Sequence, residues 1–74
     1  MERELLDSSS VASAGYDEAR RMMEVEFVHG GVYVYLDVEP DLYRRFREAE
    51  SHGRFLNAEI KPHHPFLRLH PAHR

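Results

Sequence analysis

The sequence predicts an α+β domain: a three-stranded antiparallel meander followed by two helices packed on one face of it. Three observations carry that expectation. Glu24 to Leu36 reads EVEFVHGGVYVYL, two runs of branched and aromatic residues flanking a Gly-Gly pair. Such side chains fit a pleated, half-buried surface, and glycine tolerates the positive φ of a hairpin tip. Second, Pro40 is followed by Leu42, Phe46 and Ala49, spacings of four and three that place apolar groups on one helical face. Third, the links between the strand-forming runs are short, as antiparallel neighbours allow and parallel crossovers do not.

Each element follows in order. Met1 to Asp7 is a charged lead with Leu5 and Leu6, read as a helical turn or an unstructured arm. Ser8-Ser9-Ser10 leads into the first strand, Val11 to Tyr16, in which Gly15 marks a bulge or a close backbone approach. Asp17 to Arg20 is a turn. Arg21 to Val28 and Val32 to Asp37 are the second and third strands. A two-residue loop at Gly30-Gly31 sets Phe27 opposite Val34 and Val25 opposite Leu36. Alternation then gathers Val25, Phe27, Val34 and Leu36 on an apolar face. Glu24, Glu26, Val28, Tyr33 and Tyr35 fall on a mixed one.

Pro40 suits a first helical turn, where its missing N–H is not needed, and Glu39 and Asp41 complement the helix dipole there. Gly53 breaks this helix and Ser51 caps a second over Arg54 to Lys61, with Leu56 and Ile60 four apart and Phe55 beside them. Pro62 ends it. His63 to Arg74 is an extended tail whose Phe66, Leu67 and Leu69 pin its first half to the body. The organisation expected is a lead over 1–7, a folded domain over 8–69 and a tail over 70–74.

A chain of 74 residues supports one domain. It has no cysteine, which excludes disulfides and thiolate metal sites and agrees with a cytoplasmic location. No apolar run approaches the ~20 residues of a membrane span, and the acidic N-terminus lacks a secretory signal's apolar core. The formal net charge of −3 argues against broad electrostatic capture of nucleic acid, though not against a local basic patch.

The ordered residues resemble a known family. The Ser-rich entry at Ser8-Ser9-Ser10, Tyr16-Asp17, a strand ending in Phe27, Tyr33-x-Tyr35, Val38 with Pro40, Tyr43, Ala49-x-Ser51-x-Gly53, Phe55, Asn57 and Ile60 together are similar to the KTSC domain, over roughly Ser8 to Leu69. Tyr-x-Tyr alone is weak; the ordered set is more specific. The family takes its name from a segment at the C-terminus of some lysyl-tRNA synthetases and also occurs as small bacterial proteins. That company implies RNA as a partner, by association.

Catalytic triads, phosphate-binding glycine loops and paired acid/base carboxylates are not recognisable, so a non-enzymatic binding module with no cofactor is expected. Tyr33 and Tyr35 are candidates for a base-stacking platform, set against their ordinary use as strand residues with an apolar body and a polar tip. Glu24, Glu26 and Asp37, expected near them, would repel phosphate. Arg54, Lys61 and Arg68 are candidate phosphate contacts if they gather near the tyrosines, whereas Arg44, Arg45 and Arg47 read as a solvated helix face. Asn57 either locks the interhelical turn or presents its amide to a ligand. His63, His64, His70 and His73 fit no firm zinc pattern, and no metal site is expected. The competing reading is a protein-interaction or self-association module using an open sheet edge or the tyrosine face. A third and weaker reading is a small-molecule site between helices and sheet.

Overall fold

In the computed structural model, which describes residues 2–69, the chain forms one antiparallel sheet of five strands in sequential order. The strands are β1 (Arg3–Leu5), β2 (Val11–Asp17), β3 (Met22–Phe27), β4 (Val32–Tyr35) and β5 (Phe66–Leu69). Between β4 and β5 the chain runs through α1 (Pro40–Glu48) and α2 (His52–Phe55), and α2 continues into a π-helical turn over Leu56–Ile60. The α+β class and the helices on one face stand; the three-stranded count does not. β1 comes from the expected lead, and β5 from the expected tail.

Both additions are edge strands whose residues are all exposed. β1 needs close contact with β2: a Cβ on Gly15 would sit 2.1 Å from the Glu2 carbonyl oxygen. Gly15 is therefore the close approach, while the sheet irregularity falls between Val11 and Ser13. β5 is joined to the body by Leu36 N–H donating to the Pro65 carbonyl and by His64 Nδ1–H donating to the Leu36 carbonyl at 3.0 Å.

The central hairpin has a different register from the expected one. Glu26 pairs with Val32, Val25 with Tyr33 and Met23 with Tyr35. Gly30 N–H donates to the Phe27 carbonyl, and Phe27 N–H donates to the Gly31 carbonyl, so Val28, His29 and Gly30 form a three-residue loop. Gly30 sits at φ +103°, the left-handed conformation that closes such loops. The offset is odd, so the pairing of faces is exchanged. Met23, Val25 and Phe27 share a face with Tyr33 and Tyr35, beneath the helices. Glu24 and Glu26 share the opposite face with Val32 and Val34, where Arg3 pairs with Glu24 at 3.1 Å. Arg21 and Asp37, both at left-handed φ, end the strands earlier than expected, and Val38 N–H donates to the Arg21 carbonyl.

The core lies between the sheet and the helices. Val11, Ala14, Met23, Val25, Phe27 and Tyr35 come from the sheet, and Val38, Phe46, Leu56 and Ile60 from the connections and helices. Fully burying one such large side chain contributes about 1.5–3 kcal/mol. Phe46 is the only fully buried residue of α1; Ala49, expected on the same stripe, caps the helix instead. Tyr43 of α1 stacks on Tyr16 at 4.8 Å, and the Tyr16 hydroxyl donates to the Val38 carbonyl. Arg47 reaches Glu4 of β1 at 2.7 Å, tying α1 to the sheet edge.

Candidate nucleic-acid interface

The most apolar hollow opens where β4, β5 and the end of the π turn meet. It has a volume of about 290 Å³ and is lined by Phe27, His29, Tyr33, Tyr35, Lys61 and Phe66. Local sequence explains its walls. Register puts Tyr33 and Tyr35 on the helix face, and β5 sets Phe66 beside Tyr35 and Arg68 beside Tyr33. The rings form a chain of contacts: Phe27 meets Tyr33 edge-on at 5.5 Å, Tyr33 meets Phe66 at 5.4 Å, and Phe66 meets Tyr35 at 5.9 Å. His29 lies parallel to Phe27 at 5.8 Å.

Two cations stand over these rings. The Lys61 ammonium is 5.2 Å from the Phe27 centroid, and the Arg68 guanidinium is 5.7 Å from that of Tyr33. Both distances fall in the range where a cation is attracted to a ring face. Lys61 is placed by the π turn, whose defining bond runs from Lys61 N–H to the Leu56 carbonyl. Such widened turns recur at functional sites.

A second, more polar hollow of about 400 Å³ adjoins the first and shares Phe27, His29 and Lys61 with it. Ser9, Ser10, Ser51, Gly53, Arg54, Leu56 and Asn57 complete its lining. Ser51 caps α2 by accepting from Arg54 N–H, as expected. Gly53 packs closely on Ser10: a Cβ there would lie 2.4 Å from Ser10 Oγ, so that hydroxyl would have to move.

The structure thus brings Tyr33, Tyr35, Arg54, Asn57, Lys61 and Arg68 to one side of the domain. Two expectations about them are corrected. Tyr35 is 2 % exposed and forms a floor rather than a platform, while Phe66, 55 % exposed, supplies the open ring that sequence reasoning assigned to a tail. Glu24 and Glu26 lie across the sheet from the tyrosines, and no carboxylate lines either hollow. Arg54 also borders a shallower depression containing Glu50 and Glu59. Among the described residues, however, no ion pair forms to Arg54, Lys61 or Arg68, whereas Arg3, Arg20, Arg44 and Arg47 are all paired.

Burial pushes the Tyr35 phenol up to about 12, with Tyr33 adding to the effect. Tyr35 is therefore a neutral ring at physiological pH. Sequence reasoning missed Phe27, His29, Ser9, Ser10 and Phe66 as part of this region. Phe27 and the serines belong to the resemblance motif, but nothing local in the sequence places Phe66 beside Tyr33. His70 and His73 lie outside the described residues. Among the described residues, no group of three metal-ligating side chains comes together, and no helix is long and apolar enough to cross a membrane.

Comparisons with known proteins agree with the fold. A protein of Stutzerimonas stutzeri, described only as uncharacterized, is 44 % identical over 64 residues, covering 86 % of this chain and 90 % of its own. A protein of Tsukamurella paurometabola is 39 % identical over 57 residues, 77 % of this chain and 85 % of that one. The crystal structure of a KTSC domain protein from Yersinia pestis superposes with a TM-score of 0.90 at 35 % identity, covering 93 % of this chain and 97 % of that one. The family description of the KTSC domain matches residues 7–64, and with these relatives it shows that the chain belongs to the KTSC domain family.

Proposed function

We propose that this domain is a non-enzymatic binding module for unpaired RNA, with the aromatic hollow as its base-binding site. The observation that carries the reading is the juxtaposition of Tyr33 and Phe66 with Lys61 and Arg68 on a surface without carboxylates. An aromatic ring with an adjoining cation serves both halves of a nucleotide, since every base has a π face and every phosphate a negative charge. RNA is preferred to DNA because of the family's company with lysyl-tRNA synthetases. The net charge of −3 does not oppose this, because no carboxylate lines the aromatic hollow itself.

The test is a titration of isotope-labelled protein with a short single-stranded oligouridylate, followed by NMR. Shifts should centre on Phe27, Tyr33, Lys61 and Phe66. Tyr33→Ala should weaken binding about 5- to 150-fold, the range of about 1–3 kcal/mol per stacked base. An unchanged spectrum at millimolar oligomer would refute the reading.

A second reading has its own observation. Leu67 and Leu69 are 56 % and 41 % exposed on the sheet face away from the helices, next to Val32 and Val34. That apolar strip, on a strand with a free outer edge among the described residues, fits a protein contact. A concentration-dependent mass in sedimentation would favour it.

A further inference from the structure

The polar hollow is not needed to stack a base, yet it shares Phe27, His29 and Lys61 with the hollow that does so. We propose that it is a phosphate subsite, so that the unit recognised is a terminal nucleotide bearing a phosphomonoester. This rests on the reading of the aromatic hollow as a base site and names the part of the RNA that enters it.

Four features support the assignment. First, the two hollows share Phe27, His29 and Lys61, so a single ligand can span both. A base against Tyr33 and Phe66 leaves its sugar at the shared wall and its phosphate toward Arg54 and Asn57. Second, the lining is rich in donors: the Arg54 guanidinium, the Lys61 ammonium, the Asn57 amide and the hydroxyls of Ser9, Ser10 and Ser51. A phosphate has only acceptor oxygens to offer, and charged donors make its strongest hydrogen bonds. Third, neither cation is neutralised. No ion pair forms to Arg54 or Lys61 among the described residues, and no carboxylate lines the hollow.

Fourth, the charge count selects the kind of phosphate. Two cations converge on one hollow, with the His29 ring at its edge. An internal phosphodiester carries a single negative charge, whereas a terminal monoester carries about −1.5 to −2 near neutral pH. The monoester better matches two unpaired cations.

The experiment uses the full chain and three oligouridylates of equal length, with a 5′-hydroxyl, a 5′-phosphate or a 3′-phosphate end. At moderate salt, one phosphorylated end should bind about tenfold more tightly than the hydroxyl end, the scale of one charge-assisted hydrogen bond set. Only that oligomer should shift the Arg54 and Asn57 signals, and which end succeeds identifies the polarity. Arg54→Gln, at an exposed position and checked by an unchanged NMR dispersion, should erase the tenfold gain, so that the phosphorylated and hydroxyl oligomers bind the variant alike. Equal affinity for all three oligomers, with shifts confined to Tyr33 and Phe66, would overturn the phosphate subsite while leaving RNA binding in place. A 5′-phosphate gain that survives Arg54→Gln would overturn the assignment of that hollow. No shift with any oligomer would overturn both readings together.

Discussion

The corner where α1 meets β1 and the corner where the π turn meets β5 use the same residue types for different ends. At the first, Arg44 bonds Asp41 and Glu48, Arg47 bonds Glu4, and Tyr43 stacks on Tyr16 at 4.8 Å beside buried Phe46. Arg44 and Arg47 are neutralised there by carboxylates of the protein itself. At the second, Lys61 and Arg68 stand over rings, Arg54 makes no ion pair among the described residues, and Phe66 is open to solvent. The contrast limits what net charge can say about a ligand. A sum over the chain cannot distinguish carboxylates that neutralise their own arginines from carboxylates that would repel a ligand.

Substitutions at the two corners should therefore part company. The largest effect is expected at the first. Phe46→Ala removes a side chain that is 0 % exposed, and a buried phenylalanine truncated to alanine costs about 3–5 kcal/mol. Urea unfolding should show the loss. A cost below about 1 kcal/mol would mean that α1 is not a structural corner at all.

The next effect appears with pH. The folded Tyr35 phenol is raised to about 12 from an ordinary value of 10.0. An acid whose folded pKa is raised stabilises the fold fully below the unfolded value and loses that contribution as pH climbs to the folded one. Stability should thus fall between about pH 10 and 12, because the unfolded chain releases its proton first. Tyr35→Phe should flatten the slope attributable to this group in urea unfolding across that window. An identical slope in the variant would place the alkaline loss elsewhere, with Tyr16 and Tyr43, both also raised by burial, as the next tyrosines to test.

The smallest effect is expected from Arg47→Ala. Its pair with Glu4 is half-exposed on both sides, so the change should cost about 0.2–1 kcal/mol and leave oligouridylate affinity unaltered. A binding defect would erase the distinction between the corners.

Much of this was legible in the sequence, and the failures have physical reasons. Val32 to Tyr35 and the helix from Pro40 announced themselves through propensity and spacing. Leu56 and Ile60 were correctly paired on one buried face, although the turn between them is π-helical rather than α-helical. β1 and β5 were missed because every residue in them is exposed. An edge strand with no buried face shows no alternation to read. The register was missed because hydropathy sorting groups Tyr33 and Tyr35 with the glutamates as amphipathic residues. In the structure Tyr35 behaves as a core residue, and the loop takes three residues so that both tyrosines join Met23, Val25 and Phe27. The candidate site was partly legible for a related reason. Arg54, Asn57 and Lys61 are close in sequence and stay close in space, whereas Phe66 reaches Tyr33 only through a strand pairing the sequence did not reveal.

On the proposed reading Lys61 and Arg68, and not the paired Arg44 and Arg47, meet the phosphates. The most direct test is the salt dependence of oligouridylate affinity for the wild type, for Lys61→Gln with Arg68→Gln, and for Arg44→Gln with Arg47→Gln. Each phosphate contact on a single strand contributes about 0.7 to the slope of log affinity against log salt. The first pair should lower the slope by about 1.4, at two contacts of about 0.7 each, and the second pair should leave it unchanged. Equal reductions for both pairs, or a reduction only for Arg44 and Arg47, would contradict the account.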